Sequence, residues 1–118
     1  MEVVLVADDD EQVRRFIVSV LQAAGYQVVE AADGPEALDL LTSSEPDAAI
    51  LDLVMPGLSG VDVARQARER GVDVPVVFSS GYDASSPVSQ GLPEDSVLLT
   101  KPFTPDALVR AVIDLTMP

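Results

Sequence analysis

The period of the apolar pattern switches back and forth along this chain, and that alternation limits the possible folds more than any other feature. Short runs rich in β-branched residues read as strands: Val3 to Ala7, Tyr26 to Glu30, Ala48 to Leu51, Val74 to Phe78 and Val97 to Leu99. Between them the apolar residues fall at helical spacing, as in Val13, Phe16, Ile17, Val20, Leu21 and Ala24. Five strands alternating with helices make a βαβ series. A series of that kind closes as an α/β fold with a mainly parallel sheet and helices on both faces.

The helix ends carry their own signals. A first helix is expected from Glu11 to Ala24, stopped by Gly25. A short second helix begins at Gly34-Pro35-Glu36, with Pro at an early helical position and Ala37, Leu38, Leu40 and Leu41 on its apolar side. Ser59 can cap a third helix from about Gly60 to Arg70, with Val61, Ala64 and Ala67 facing inward and Gly71 ending it. Ser85-Ser86-Pro87 and Gly91-Leu92-Pro93 leave room only for a short or irregular helix. Thr104 can cap the last helix, Pro105 to about Leu115.

Composition excludes several kinds of chemistry. The chain has 118 residues, about one domain's worth, and no cysteine, hence no disulfide framework and no thiolate nucleophile. It has no histidine, so it carries no imidazole base. A net charge of -13 repels nucleic-acid phosphate and anionic membranes, and no direct nucleic-acid partner and no membrane association are expected. No apolar run approaches a transmembrane span and no leader pattern opens the sequence, which reads as cytoplasmic.

In an open parallel sheet, ligands bind outside the carboxyl ends of the strands. The first strand runs out into Asp8-Asp9-Asp10, the third into Asp52, the fourth into Ser79-Ser80-Gly81 and the fifth into Thr100-Lys101-Pro102. Each has an ordinary explanation: the aspartates could cap helices or turns, and Ser80 could bond local backbone. Together they are harder to dismiss, because carboxylates crowded on one rim repel one another unless a cation neutralises them. An all-oxygen donor set suits a hard ion such as Mg²⁺ and argues against zinc. Lys101 is the only lysine in a chain that otherwise uses arginine, a compact charge suited to a carboxylate or a phosphate oxygen.

Four segments in order, Leu5 to Asp10, Leu51 to Gly60, Ser79-Ser80-Gly81-Tyr82 and Lys101-Pro102-Phe103, resemble the receiver domain of two-component response regulators. The Ser-Gly-Tyr and Lys-Pro-Phe-Thr-Pro stretches look most like receivers of hybrid sensor histidine kinases. The resemblance implies a flavodoxin-like (βα)5 three-layer sandwich, with strand order 2-1-3-4-5 and residues 1–118 forming a single receiver domain. It implies that Asp52 is the phosphoacceptor, and that Mg²⁺ (or Mn²⁺) is held by Asp8, Asp9, Asp52 and the backbone carbonyl of Val54. Lys101 and Ser80 would each hold a phosphoryl oxygen. The donor would be a phosphohistidine of a sensor histidine kinase or a histidine phosphotransfer protein, and the domain would be a monomer or weak dimer. Three positions before Lys101 the family carries an aromatic switch residue, where this chain has Leu98; Tyr82, beside the site, is a candidate to gate access to the aspartyl phosphate instead.

Three rival readings share parts of this pattern. Asp8-x-Asp10 also matches the nucleophile motif of haloacid-dehalogenase-like phosphatases, which leaves Asp52-x-x-Met55-Pro56-Gly57 unexplained. A flavodoxin-like FMN binder would need a phosphate loop where three aspartates stand. A pseudo-receiver would bind protein partners without phosphorylation, although every site residue is present.

Overall fold

The computed structural model describes residues 2–81, 92 and 96–116. Five strands, β1 (Val3–Ala7), β2 (Gln27–Ala31), β3 (Ala48–Asp52), β4 (Val76–Ser80) and β5 (Val97–Thr100), form one sheet in the order β2-β1-β3-β4-β5, all pairs parallel. Among the described residues four helices cover it: α1 (Glu11–Ala23), α2 (Gly34–Ser44), α3 (Gly60–Glu69) and α4 (Pro105–Thr116). This is the expected strand order. Two apolar clusters lie on opposite faces of the sheet. One joins α2 and α3 to Leu5, Leu51 and Phe78; the other joins α1 and α4 to Val4, Ile50 and Val77. The expected irregular stretch at Ser85-Ser86-Pro87 and Gly91-Leu92-Pro93 falls outside the described residues except for Leu92, which is half-buried against the first cluster.

The alternation of the strands is what divides the core. In β3 every residue is buried; Ala49 and Leu51 face one cluster while Ile50 faces the other, so the strand reads as continuously apolar until Asp52. Several boundaries differ from expectation. Pairing of β2 begins at Gln27, because the Tyr26 amide turns back to the Leu21 carbonyl and closes the end of α1. The fourth strand begins at Val76 and runs to Ser80, because Pro75 has no N–H for the ladder and contributes only its carbonyl, to Ala49. Ala24 and Arg70 are the C-caps of α1 and α3 and not their last turns.

Burial corrects the helix faces in detail. Phe16 is 40% exposed, its ring centroid 6.2 Å from that of Phe103, and the residues α1 buries are Ile17, Val18 and Leu21. The remaining caps act as their residue types require. Ser59 and Asp62 form a capping box at α3, and the Thr104 hydroxyl accepts from the Ala107 amide at 3.1 Å.

The connection after β3 is drawn tight against the sheet. Gly57 takes a left-handed φ of 83°, and the Gly60 amide donates to the Leu53 carbonyl at 3.1 Å. A Cβ on Gly60 would lie 2.5 Å from the carbonyl oxygen of Asp52, a clash with backbone that no rotamer relieves. The strain of such overpacking, roughly 1–3 kcal/mol, exceeds the helix propensity that alanine adds. Gly60→Ala is therefore expected to lower the midpoint of urea denaturation, and an unchanged midpoint would show that the loop yields freely.

Candidate functional site

The parallel register brings the four strand ends to one rim. Ala7 pairs with Leu51, so Asp8 leaves β1 beside Asp52; Asp52 pairs with Ser79, and Ser80 pairs with Thr100, the residue before Lys101. The Lys101 amide then donates to the Ser80 carbonyl at 2.7 Å, and the Lys101–Pro102 peptide is cis. From there the Lys101 Nζ donates to Asp8 Oδ2 at 2.9 Å and to Asp52 Oδ2 at 3.2 Å. Both carboxylates are buried, and the lysine side chain is 22% exposed.

The three neighbouring aspartates divide their work. Asp8 is fully buried; its Oδ1 accepts the Asp10 amide and its own amide donates to the Ala31 carbonyl. Asp9 is exposed. Asp10 caps α1, with Oδ1 accepting from the Gln12 and Val13 amides at 2.9 and 3.2 Å. The capping explanation is thus correct for Asp10 and insufficient for Asp8 and Asp9. It also removes Asp10 as the partner that a dehalogenase-like motif would require, since that carboxylate serves the helix.

Asp8, Asp9 and Asp52 each offer a carboxylate oxygen, and the three oxygens lie within 4.8 Å of one another. With all three ionised, one ammonium leaves two negative charges in excess. An all-oxygen donor set with that excess fits a divalent hard cation. Val54 stands two residues beyond Asp52, its amide donating to Asp52 Oδ1 at 3.3 Å and its side chain half exposed. Ser80 is buried at the end of β4. Leu98 is half-buried against the cluster under α2 and α3, paired with Phe78, while Tyr82 lies outside the described residues.

Burial pushes the Asp52 carboxyl up from its ordinary 3.8 to about 6; the Asp8 charge adds to this and Lys101 opposes it. Burial works against the Lys101 ammonium, yet the hydrogen bond to Asp8 and the two carboxylate charges outweigh it and hold its pKa above the ordinary 10.5. At neutral pH the site therefore contains an ionised Asp52 under strain and a lysine that keeps its proton.

Two polar groups of the site region were not legible in the sequence. Arg14, one turn into α1, donates from Nη1 to the Asp8 carbonyl at 2.8 Å and from Nε to Glu30 Oε1 at 3.2 Å. It differs from its neighbour Arg15 in nothing but helical phase. Ser79 is fully buried beside Asp52, and its Oγ has no hydrogen-bond partner among the described residues.

Similarity to known proteins covers nearly the whole chain. The family model described as the response regulator receiver domain matches residues 4–113. The response regulator MprA of Mycolicibacterium vanbaalenii is 41% identical over 119 residues, a match that takes in 98% of this chain and 52% of MprA. The chain thus spans about half the length of that relative. The receiver domain of the Francisella response regulator 1452 superposes with a TM-score of 0.88 at 34% identity, covering 98% of this chain and 97% of that one. The response regulator TrrA of Thermotoga maritima, solved in complex with Mg²⁺ and BeF, superposes at 0.81 with 33% identity, covering 98% and 99%.

The raised pKa of Asp52 has a stability consequence with a definite sign. Between 3.8 and about 6 the folded protein binds the Asp52 proton more tightly than the unfolded chain, so this group lowers stability as the pH rises through that window. Asp52→Asn is expected to stabilise the metal-free domain by roughly 1–3 kcal/mol at pH 8, with the gain fading as the pH falls towards 4. Parallel urea denaturation of the two proteins measures it; a gain that grows on acidification would contradict the assignment.

Proposed function

The chain belongs to the response regulator receiver-domain family of two-component signalling, and on that premise we propose that Asp52 is its phosphoacceptor. The observation that carries this reading is the buried Asp52 carboxylate at the end of β3, held by Lys101 and flanked by Asp8 and Asp9. In the reaction proposed, an Asp52 carboxylate oxygen attacks the phosphorus of a phosphohistidine. The P–N bond breaks, its electron pair returns to the imidazole nitrogen, and that nitrogen takes up a proton. The product is an acyl phosphate on Asp52. The chain has no histidine, so the donor imidazole belongs to another protein or domain, by this reading a sensor histidine kinase or histidine phosphotransfer protein.

Each remaining residue has a part in that transfer. Asp8, Asp9, Asp52 and the Val54 carbonyl would hold Mg²⁺ (or Mn²⁺), whose chemistry when bound is to neutralise charge developing on the phosphoryl oxygens. Lys101, which keeps its proton, would take one phosphoryl oxygen as its bond to Asp52 is given up. Ser80 would donate its hydroxyl to another. Leu98 replaces an aromatic ring with an aliphatic side chain packed on the core, which favours a reshaped coupling between site and surface, with Tyr82 proposed to gate access to the acyl phosphate. Residues 1–118 are proposed to form one receiver module, working in the cytoplasm as a monomer or weak dimer. Among the described residues no helix is long and apolar enough to cross a membrane.

Incubation with Mg²⁺ and acetyl phosphate, followed by intact mass measurement, tests the proposal. One added phosphoryl group is expected on the wild type and none on Asp52→Asn. Equal labelling of the variant would move the acceptor, with Asp8 the next candidate. A wild type that neither gains mass nor binds Mg²⁺ would favour the phosphorylation-independent module.

A further inference from the structure

We propose that Arg14 is a positioning residue for the cation site, acting as a two-point clamp on the loop that carries Asp8 and Asp9. This inference rests on the reading of that rim as a Mg²⁺ site. The guanidinium joins two points that, among the described residues, no other side chain of α1 links. Its Nη1 holds the carbonyl of Asp8, half of the peptide that leads into Asp9, and its Nε holds Glu30 near the end of β2. The arginine side chain is only 17% exposed and its bond to the Asp8 carbonyl is partly buried, while Glu30, 47% exposed, anchors the guanidinium from the solvent side.

The clamp completes the fixing of Asp8 on all sides. Its amide is tied to Ala31, Oδ1 to the Asp10 amide, Oδ2 to Lys101, and its carbonyl to Arg14. The first three restrain the residue itself. Among the described residues the Arg14 bond alone restrains the Asp8 carbonyl, and with it the plane of the Asp8–Asp9 peptide that carries the Asp9 carboxylate. Asp9 is exposed, and among the described residues no hydrogen bond of its own side chain sets its direction. Arg14 therefore acts through backbone, without touching the cation. A planar fork that donates from two nitrogens in fixed directions can hold both partners at once, which a single ammonium cannot do in this geometry.

Charge and position make opposite predictions here. Removing a cation close to a divalent-metal site reduces repulsion and should tighten Mg²⁺ binding. Removing a clamp that aims a ligand should weaken it, by about tenfold on the scale of outer-shell partners of metal ligands. The measurement is a Mg²⁺ titration of the unphosphorylated protein followed by amide NMR shifts, which also report whether the fold is intact. Arg14→Ala is expected to weaken Mg²⁺ binding about tenfold, and Arg14→Lys, which keeps the charge and loses the fork, is expected to weaken it by less. Arg15→Ala, removing an exposed arginine paired with Glu11, should leave the affinity unchanged. Tightened or unaltered binding in folded Arg14→Ala, or wild-type affinity in Arg14→Lys, would overturn the clamp. Absence of Mg²⁺ shifts in the wild type would overturn the metal-site reading and this inference with it.

Discussion

The bridge from Lys101 to Asp8 and Asp52 is the interaction on which the site depends. Two buried carboxylates at adjacent strand ends would repel each other and leave the fold with uncompensated charge; the ammonium between them makes their coexistence tolerable. It does not make it comfortable, as the raised pKa of Asp52 records. The compensation is partial, and the residual negative charge is what a divalent cation could neutralise. Lysine suits this position because one ammonium can reach two carboxylate oxygens at once.

The sheet supplies the placement. A parallel register puts every strand's carboxyl end on the same edge, so residues as distant in sequence as Asp8 and Lys101 become neighbours with no further device. The tight approach of Gly60 to the Asp52 carbonyl, and the return of the Lys101 amide to Ser80, hold the two central groups from the backbone side. Ser79 shows the cost of crowding polar residues here. Its buried hydroxyl, without a hydrogen-bond partner among the described residues, follows by two positions Val77, which packs in the apolar cluster without such a cost.

Much of this was legible in the sequence, for identifiable reasons. The five strands and four of the connecting helices follow from the switch between periods, and the strand-end rule picks out Asp8, Asp52, Ser80 and Lys101 without coordinates. What was not legible depends on phase and exposure. Asp8, Asp9 and Asp10 are the same residue three times; only the turn into α1 makes one buried, one exposed and one a cap. Arg14 and Arg15 differ in the same way, and Phe16 fits an apolar stripe although it ends on the surface against Phe103. Val74 has the apolar character of a strand start, but Pro75 has no N–H for the ladder, so β4 begins at Val76. For the aspartates, the arginines and Phe16 the residue type is the same or fits the pattern, and angular position decides.

Lys101 carries the only side-chain primary amine in these 118 residues, and about a fifth of that side chain reaches solvent. Acylating reagents, surface-coupling chemistries and lysine-modifying enzymes that act within this stretch thus have a single side-chain target, and it is the one that holds two carboxylates together. Acetylation there would erase the positive charge and leave Asp8 and Asp52 facing each other across a neutral amide. The arginines on the surface, which such chemistry ignores, keep solubility and ion pairing apart from this vulnerability. A chain so sparing with lysine has concentrated its susceptibility to amine chemistry at the centre of its site.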